Sequence, residues 1–167
     1  MRWMWIDRVI ELVPRQRLVA LKNISLAEEH LHDHFEAQGQ LTALPVMPAS
    51  LIVEGMAQSA GILVGHAEDF REKVILAKVS KAELLGEAAP GFVLRYTATI
   101  RQLDKAGAAT HGVVDLLDPS RPGVVMPMGV IDLIFSHIDQ NLSGMEFPDH
   151  NFVFSESFRT LLRTSGY

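Results

Sequence analysis

The chain contains no cysteine. Disulfide staples, thiolate nucleophiles and cysteine-rich zinc sites are all excluded, and a reducing compartment is compatible with the composition. An excess of positive charge is also missing. The formal net charge of −5 gives no general attraction for nucleic acid or anionic lipid, although a local basic patch could still receive an acidic partner. Long uninterrupted apolar runs are absent as well. In the opening "MRWMWIDRVIELVP", Asp7 and Arg8 break the apolar stretch before it reaches the length of a secretory signal. The longest apolar region, "LIVEGMAQSAGILVG", carries Glu54 and Gln58 and is too short to span a bilayer. The expectation is a cytoplasmic protein that binds no nucleic acid and does not insert into membranes.

What is present describes one soluble domain. Apolar residues make up 48% and charged residues 21% of 167 positions, enough to bury a substantial core. Two short strands are expected at "RVIELV" (8–13) and "RLVALKNI" (17–24), joined by a turn at "PRQ". A polar, histidine-rich stretch continues to Leu44. From Pro48, "PASLIVEGMAQSAGILVGHAEDF" is apolar on nearly every side, the pattern of a helix buried in a core, with proline suited to its first turn. The period then switches to two. In "FVLRYTATIRQ", Leu94, Tyr96, Ala98 and Ile100 alternate with Arg95, Thr97, Thr99 and Arg101, which predicts a half-solvated antiparallel strand. "VILAKVSKAEL", "AATHGVVDLL" and "VVMPMGVIDLIFSHI" add three more strands between turn-rich segments, with Pro127 at a bulge or edge position.

Two strands, one long buried helix and four strands predict an α+β fold in which a curved antiparallel sheet wraps around a single central helix. Residues 1–138 form this unit. Residues 139–167 form a C-terminal extension expected to pack on the same domain, and "SESFRTLLRTSGY" within it reads as an amphipathic helix capped by Ser155 or Ser157.

Ser50, Glu54 and Gln58 are spaced four apart and share one face of the central helix. A carboxylate in such apolar surroundings is costly to ionise, which suits a general acid unless a positive partner opposes the effect. The same stripe is equally consistent with the solvated side of an amphipathic helix, or with a structural hydrogen bond between Glu54 and Gln58.

The segment "HLHDHF" places His30, His32 and His34 on alternate positions around Asp33. In an extended chain these side chains would share a face and could approach a zinc ion, with Asp33 behind them. The spacing matches neither HxHxDH nor HExxH, so no metal site is expected. His34 stands out because Phe35 follows it, an arrangement that fits an imidazole held at a pocket wall. Histidine is also the side chain best suited to proton transfer near neutral pH.

"WMWIDRVIELVPRQRLVALKNIS", "DHFEAQGQLTALPVMPASLIVEGMAQSAGIL" and "APGFVLRYTATI", taken in order over roughly residues 3–138, resemble the 3-hydroxyacyl-(acyl-carrier-protein) dehydratases of the FabA/FabZ type. The resemblance implies the hotdog fold. It implies that His34 is the catalytic base, that Glu54 is the catalytic acid in the manner of the FabZ branch, and that Gln58 follows it in the same site. It further implies a homodimer, or a trimer of dimers, whose sheets join edge to edge so that each site takes its histidine from one protomer and its acid from the other. The reaction would be reversible loss of water from an (R)-3-hydroxyacyl thioester to give the trans-2-enoyl thioester. A backbone N–H at Ala49 would stabilise the carbonyl oxygen, and Phe35, Leu51, Val53 and Met56 would contact the acyl chain. No cofactor is implied beyond the phosphopantetheine carried by the substrate. Lys73, Lys78, Lys81 and Arg101 are candidates to receive the acidic acyl carrier protein.

Some positions depart from the family pattern. His34 and Glu54 are separated by twenty positions, so loop 36–44 is longer than usual. Asp33, Ala37 and Ala49 stand where the family has glycine, Glu36 replaces a proline, and Phe92 follows "PG" in place of an acidic residue. These changes point to altered substrate choice or lost activity more than to a different fold. A hotdog acyl thioesterase and a catalytically silent acyl-binding subunit are the alternative functions.

Overall fold

A computed structural model describes residues 3–138 and 153–167. The elements in chain order are β1 (Arg8–Val13), β2 (Arg17–Asn23), α1 (Glu29–His32), α2 (Ala49–Ala67), β3 (Lys73–Leu84), β4 (Val93–Leu103), β5 (Gly107–Leu117), β6 (Val125–Ile138) and α3 (Glu156–Ser165). All six strands form one antiparallel sheet in the order β1-β2-β4-β5-β6-β3. The chain leaves β2, threads α1 and α2 across the sheet, and returns as β3 on the far edge. Helix α2 packs against β2, β3, β4, β5 and β6, so the sheet encloses it as its apolar composition requires.

The period-two reading of β4 holds over Leu94, Tyr96 and Ala98, which are buried beneath half-buried Arg95, Thr97 and Thr99. A bulge between Ile100 and Gln102 ends the alternation. Pro127 also sits beside a register shift, since Val114 pairs with Gly129 while Asp115 pairs with Pro127. Strand β3 ends its own pairing at Gly129, so Pro127 lies beyond that ladder and keeps only its pairing with Asp115 of β5. Pro48 caps α2 from outside, one residue earlier than its expected place in the first turn.

Of the expected C-terminal extension, residues 139–152 lie outside the described residues. Beyond them, Phe154, Phe158, Leu161 and Leu162 join the same hydrophobic core as α2 and the sheet. The N–H of Val9 on edge strand β1 donates to Ser165 Oγ at 3.0 Å, fastening the end of α3. Ser155 is the N-cap residue of α3, and its backbone carbonyl accepts from Phe158 N–H at 3.0 Å while its side chain makes no capping bond.

Close approach to α2 depends on absent Cβ atoms, among them those of Gly55 and Gly112. At Gly55 a Cβ would lie 2.5 Å from the Tyr96 hydroxyl and 2.9 Å from the Trp5 carbonyl oxygen; at Gly112 it would lie 2.4 Å from Met56 Sδ. Gly61 faces open space, with its nearest neighbour 3.7 Å away on Phe135. Helix propensity alone favours alanine at Gly55 and at Gly61 by ~1 kcal/mol. Opposite outcomes are therefore expected in urea denaturation. Gly61→Ala raises stability by up to ~1 kcal/mol, whereas Gly55→Ala lowers it by about 1–3 kcal/mol because the methyl overpacks buried Tyr96.

Candidate active site

The histidine segment is held from its N-terminal side. Lys22 Nζ, on a side chain only 6% exposed, pairs with Glu28 Oε1 and lies 3.3 Å from Asp7 Oδ1. Asp7 Oδ2 in turn accepts from Asn23 N–H at 2.7 Å. This network ties the start of α1 to β2 and to the N-terminal segment. Leu31 is fully buried and pins the single helical turn, while the His30 ring meets Trp5 edge-on at 5.1 Å.

Because the chain here is helical, His30, His32 and His34 do not converge as an extended segment would bring them together. His32 is exposed, and Asp33 is exposed too, closing α1 through its backbone N–H to Glu29 O at 3.1 Å. His34 Nδ1 lies 2.9 Å from the Leu31 carbonyl oxygen. A carbonyl can only accept, so Nδ1 carries the proton, and the neutral ring keeps its lone pair on Nε2. Phe35, expected to contact the acyl chain, is 93% exposed on the single chain, and Leu41 and Leu44 of the following loop are exposed with it.

The stripe on α2 runs inward from exposed Ser50 through half-buried Glu54 to Gln58, which is 4% exposed. It is not a solvated helix face at Gln58. That amide donates from Nε2 to Trp3 O at 3.1 Å and to Glu54 Oε1 at 2.9 Å, and accepts at Oε1 from Trp5 N–H at 2.8 Å. The structural hydrogen bond between Glu54 and Gln58 is thus present, and it also secures the N-terminal segment.

Glu54 opens onto an apolar cleft of about 170 Å³. Ala57, Gln58, Gly61 and Ile62 of α2 line it with Val74 and Leu76 of β3, Phe135 of β6, and Val153, Phe154 and Phe158 from the C-terminal segment. Glu54, Ala57, Gln58 and Gly61 follow helical spacing on one face, and the small side chains of the second and fourth open the space. Leu51, Val53 and Met56, expected to contact an acyl chain, do not line this cleft. Met56 is fully buried toward the sheet, where Gly112 leaves room for its sulfur. Large apolar side chains fill the core, and small ones leave the cavity. The Ala57 and Gly61 spacing from Glu54 was the signal that could have located it.

His34 is not among the cleft's lining residues. Ala49 is exposed at the first position of α2, where helical N–H groups have no intrahelical partner. None of Asp33, Ala37 and Ala49 lies in the left-handed region, so replacing the family's glycine there costs no backbone strain. Lys73, Lys78 and Lys81 all lie on β3, with Lys81 Nζ 3.0 Å from Glu83, and Arg101 is exposed on β4.

Fold and sequence together define the class. A FabA-like domain family model matches residues 2–117, and the chain belongs to that family. Among curated proteins it is 38% identical over 96 residues to the 3-hydroxyacyl-[acyl-carrier-protein] dehydratase FabZ of Ruminiclostridium cellulolyticum, covering 57% of this chain and 63% of that one. It is 31% identical over 115 residues to the FabZ of Enterococcus faecalis, covering 66% and 76%. Among solved structures, a thioesterase family protein from Silicibacter pomeroyi superposes with a TM-score of 0.60 at 12% identity, covering 78% of this chain and 83% of that one. At that identity the likeness is one of fold, and the fold is the hotdog.

The ion pairs on β2 and β3 separate burial from mere proximity. Lys22→Ala removes a buried cation shared by Glu28 and Asp7, whose own carboxylates reach solvent, and should cost about 1–3 kcal/mol. Lys81→Ala, which removes an exposed pair with Glu83, should cost less than ~1 kcal/mol. Chemical denaturation of the two variants beside the parent protein measures both.

Proposed function

We propose that the protein interconverts (R)-3-hydroxyacyl and trans-2-enoyl thioesters carried on acyl carrier protein, and that it works as a homodimer, alone or in a trimer of dimers. The observation that carries this reading is the pairing of chemical roles. His34 presents an oriented imidazole with its basic nitrogen away from the backbone, and Glu54 is a carboxyl group at the mouth of an apolar cleft.

His34 Nε2 takes the proton from the carbon next to the thioester carbonyl. Gln58 donates to Glu54 Oε1, which marks that oxygen as an acceptor and leaves Oε2 to carry the carboxyl proton. Glu54 passes this proton to the departing hydroxyl, which leaves as water. The step ends with a carboxylate and an imidazolium, and proton exchange between them resets the site. Negative charge growing on the carbonyl oxygen is met by the Ala49 N–H at the positive end of α2. This chemistry calls for no metal or organic cofactor beyond the substrate's phosphopantetheine.

Two observations support assembly. Strand β3 is an edge strand of twelve residues, exposed over most of its length, with Ile75, Leu76 and Val79 among its exposed side chains. An edge of this kind invites pairing with another strand. Val74 and Leu76 of the same strand line the Glu54 cleft, so a second chain docked along β3 would lie beside that cleft and could supply its His34. Lys73, Lys78 and Lys81 offer positive charge along this edge for an acidic carrier, and Arg101 adds to it from β4. The oriented His34 favours elimination over thioester hydrolysis.

The test is incubation with a 3-hydroxyacyl thioester and with its enoyl partner, following interconversion and free thiol together. Interconversion without thiol release is expected, with His34→Ala and Glu54→Gln each lowering kcat by roughly 10²–10⁴-fold. Thiol release would identify a thioesterase, and binding without turnover a silent acyl-binding subunit.

A further inference from the structure

We propose that the C-terminal segment is a length gauge for the acyl chain, with Phe154 and Phe158 as the specificity-determining residues that wall off the end of the cleft remote from Glu54. This rests on the dehydratase reading of that cleft. The cleft follows α2 away from Glu54 toward Gly61 and Ile62. At 1.5 Å per residue, Gly65 lies roughly 16 Å along the helix axis from Glu54. Phe154 stands at that point. A Cβ on Gly65 would come within 2.3 Å of its ring, so the absence of a side chain there is what seats it.

The wall is rigidly built. Phe154 meets Phe70 edge-on at 4.8 Å and Phe158 at 6.1 Å, and both Phe154 and Phe158 are buried. Phe70 is a non-glycine residue in the left-handed region, at φ 56°, and its N–H donates to Gly65 O at 2.8 Å. Strain at that turn is accepted where it aims the ring at Phe154. Helix α3 is fixed from behind by buried Leu161 and Leu162 and by the Val9 to Ser165 bond.

Two further facts make this wall a determinant of substrate choice. The FabA-like family model matches residues 2–117, so Phe154 and Phe158 lie outside the matched part of the chain. The cleft's volume of about 170 Å³ is on the scale of the roughly 150 Å³ apolar cavities that admit benzene. A short acyl tail fits, and a long one meets the phenylalanine rings.

The experiment compares kcat/KM for 3-hydroxyacyl thioesters from butyryl to palmitoyl length in the parent protein and in Phe158→Ala, Phe158→Leu and Gly61→Val. Circular dichroism selects the folded variants. The parent protein should favour the shortest chains. Either Phe158 truncation should raise the octanoyl-to-butyryl ratio by at least ~10-fold, and Gly61→Val, which fills the cleft, should lower it, following the discrimination typical of added methylenes in apolar pockets.

Binding of non-reacting S-alkyl pantetheines of the same lengths, measured by calorimetry, should shift in parallel. If no chain length turns over yet the binding preference shifts, the dehydratase reading fails and the wall stands. If turnover occurs and neither preference moves in the folded variants, the wall is overturned and the dehydratase reading stands. Equal use of palmitoyl and butyryl substrates by the parent protein would also overturn it.

Discussion

A nineteen-residue helix that is apolar on nearly every side must be enclosed, and most of this structure follows from enclosing α2. Five strands contact it, and residues of the C-terminal segment cover part of what they leave. Its buried amide, Gln58, would be costly without partners. Those partners are the backbone of Trp3 and Trp5 and the carboxyl group of Glu54. A single side chain therefore ties down the N-terminal segment and holds the Glu54 carboxyl group. The core and the site share the same hydrogen bonds.

Enclosure is incomplete beside Glu54. Small side chains at Ala57 and Gly61 leave an apolar space beside Glu54, and the exposed edge strand β3 forms part of its wall. His34 is prepared elsewhere, by a buried lysine network at the start of α1 and by the Leu31 carbonyl. Glu54 and His34 are each positioned within the chain without being brought to the same cleft. An interface along β3 is the economical way to unite them, since it would cover the exposed edge and complete the site together.

Much of this was legible in the sequence, for local reasons. The six strands follow from alternation and turn residues, which depend on near neighbours, and α2 announces itself by apolar content that no exposed helix could carry. Glu54 and Gln58 could be assigned to one helix face by spacing, although the inward tilt of that face could not. The helical turn at "HLHDHF" was not legible, because it depends on Lys22 reaching Glu28 and on Leu31 finding the core, contacts that local pattern does not contain. The cleft was missed for a different reason. On a helix apolar all round, large residues such as Met56 look like lining, yet they fill the core, and the cavity sits over Ala57 and Gly61. The contribution of Phe154 and Phe158 required knowing where α3 returns.

The central claim is that each site is shared between two chains, and subunit mixing tests it most directly. His34→Ala and Glu54→Gln proteins, each inactive alone, are mixed under conditions that exchange subunits, and enoyl thioester formation is followed. In a mixed dimer one of the two sites combines an intact His34 from one chain with an intact Glu54 from the other, so activity should return on mixing. Mixed dimers that form, as shown by differently tagged subunits co-purifying, and yet remain inactive would contradict the shared site.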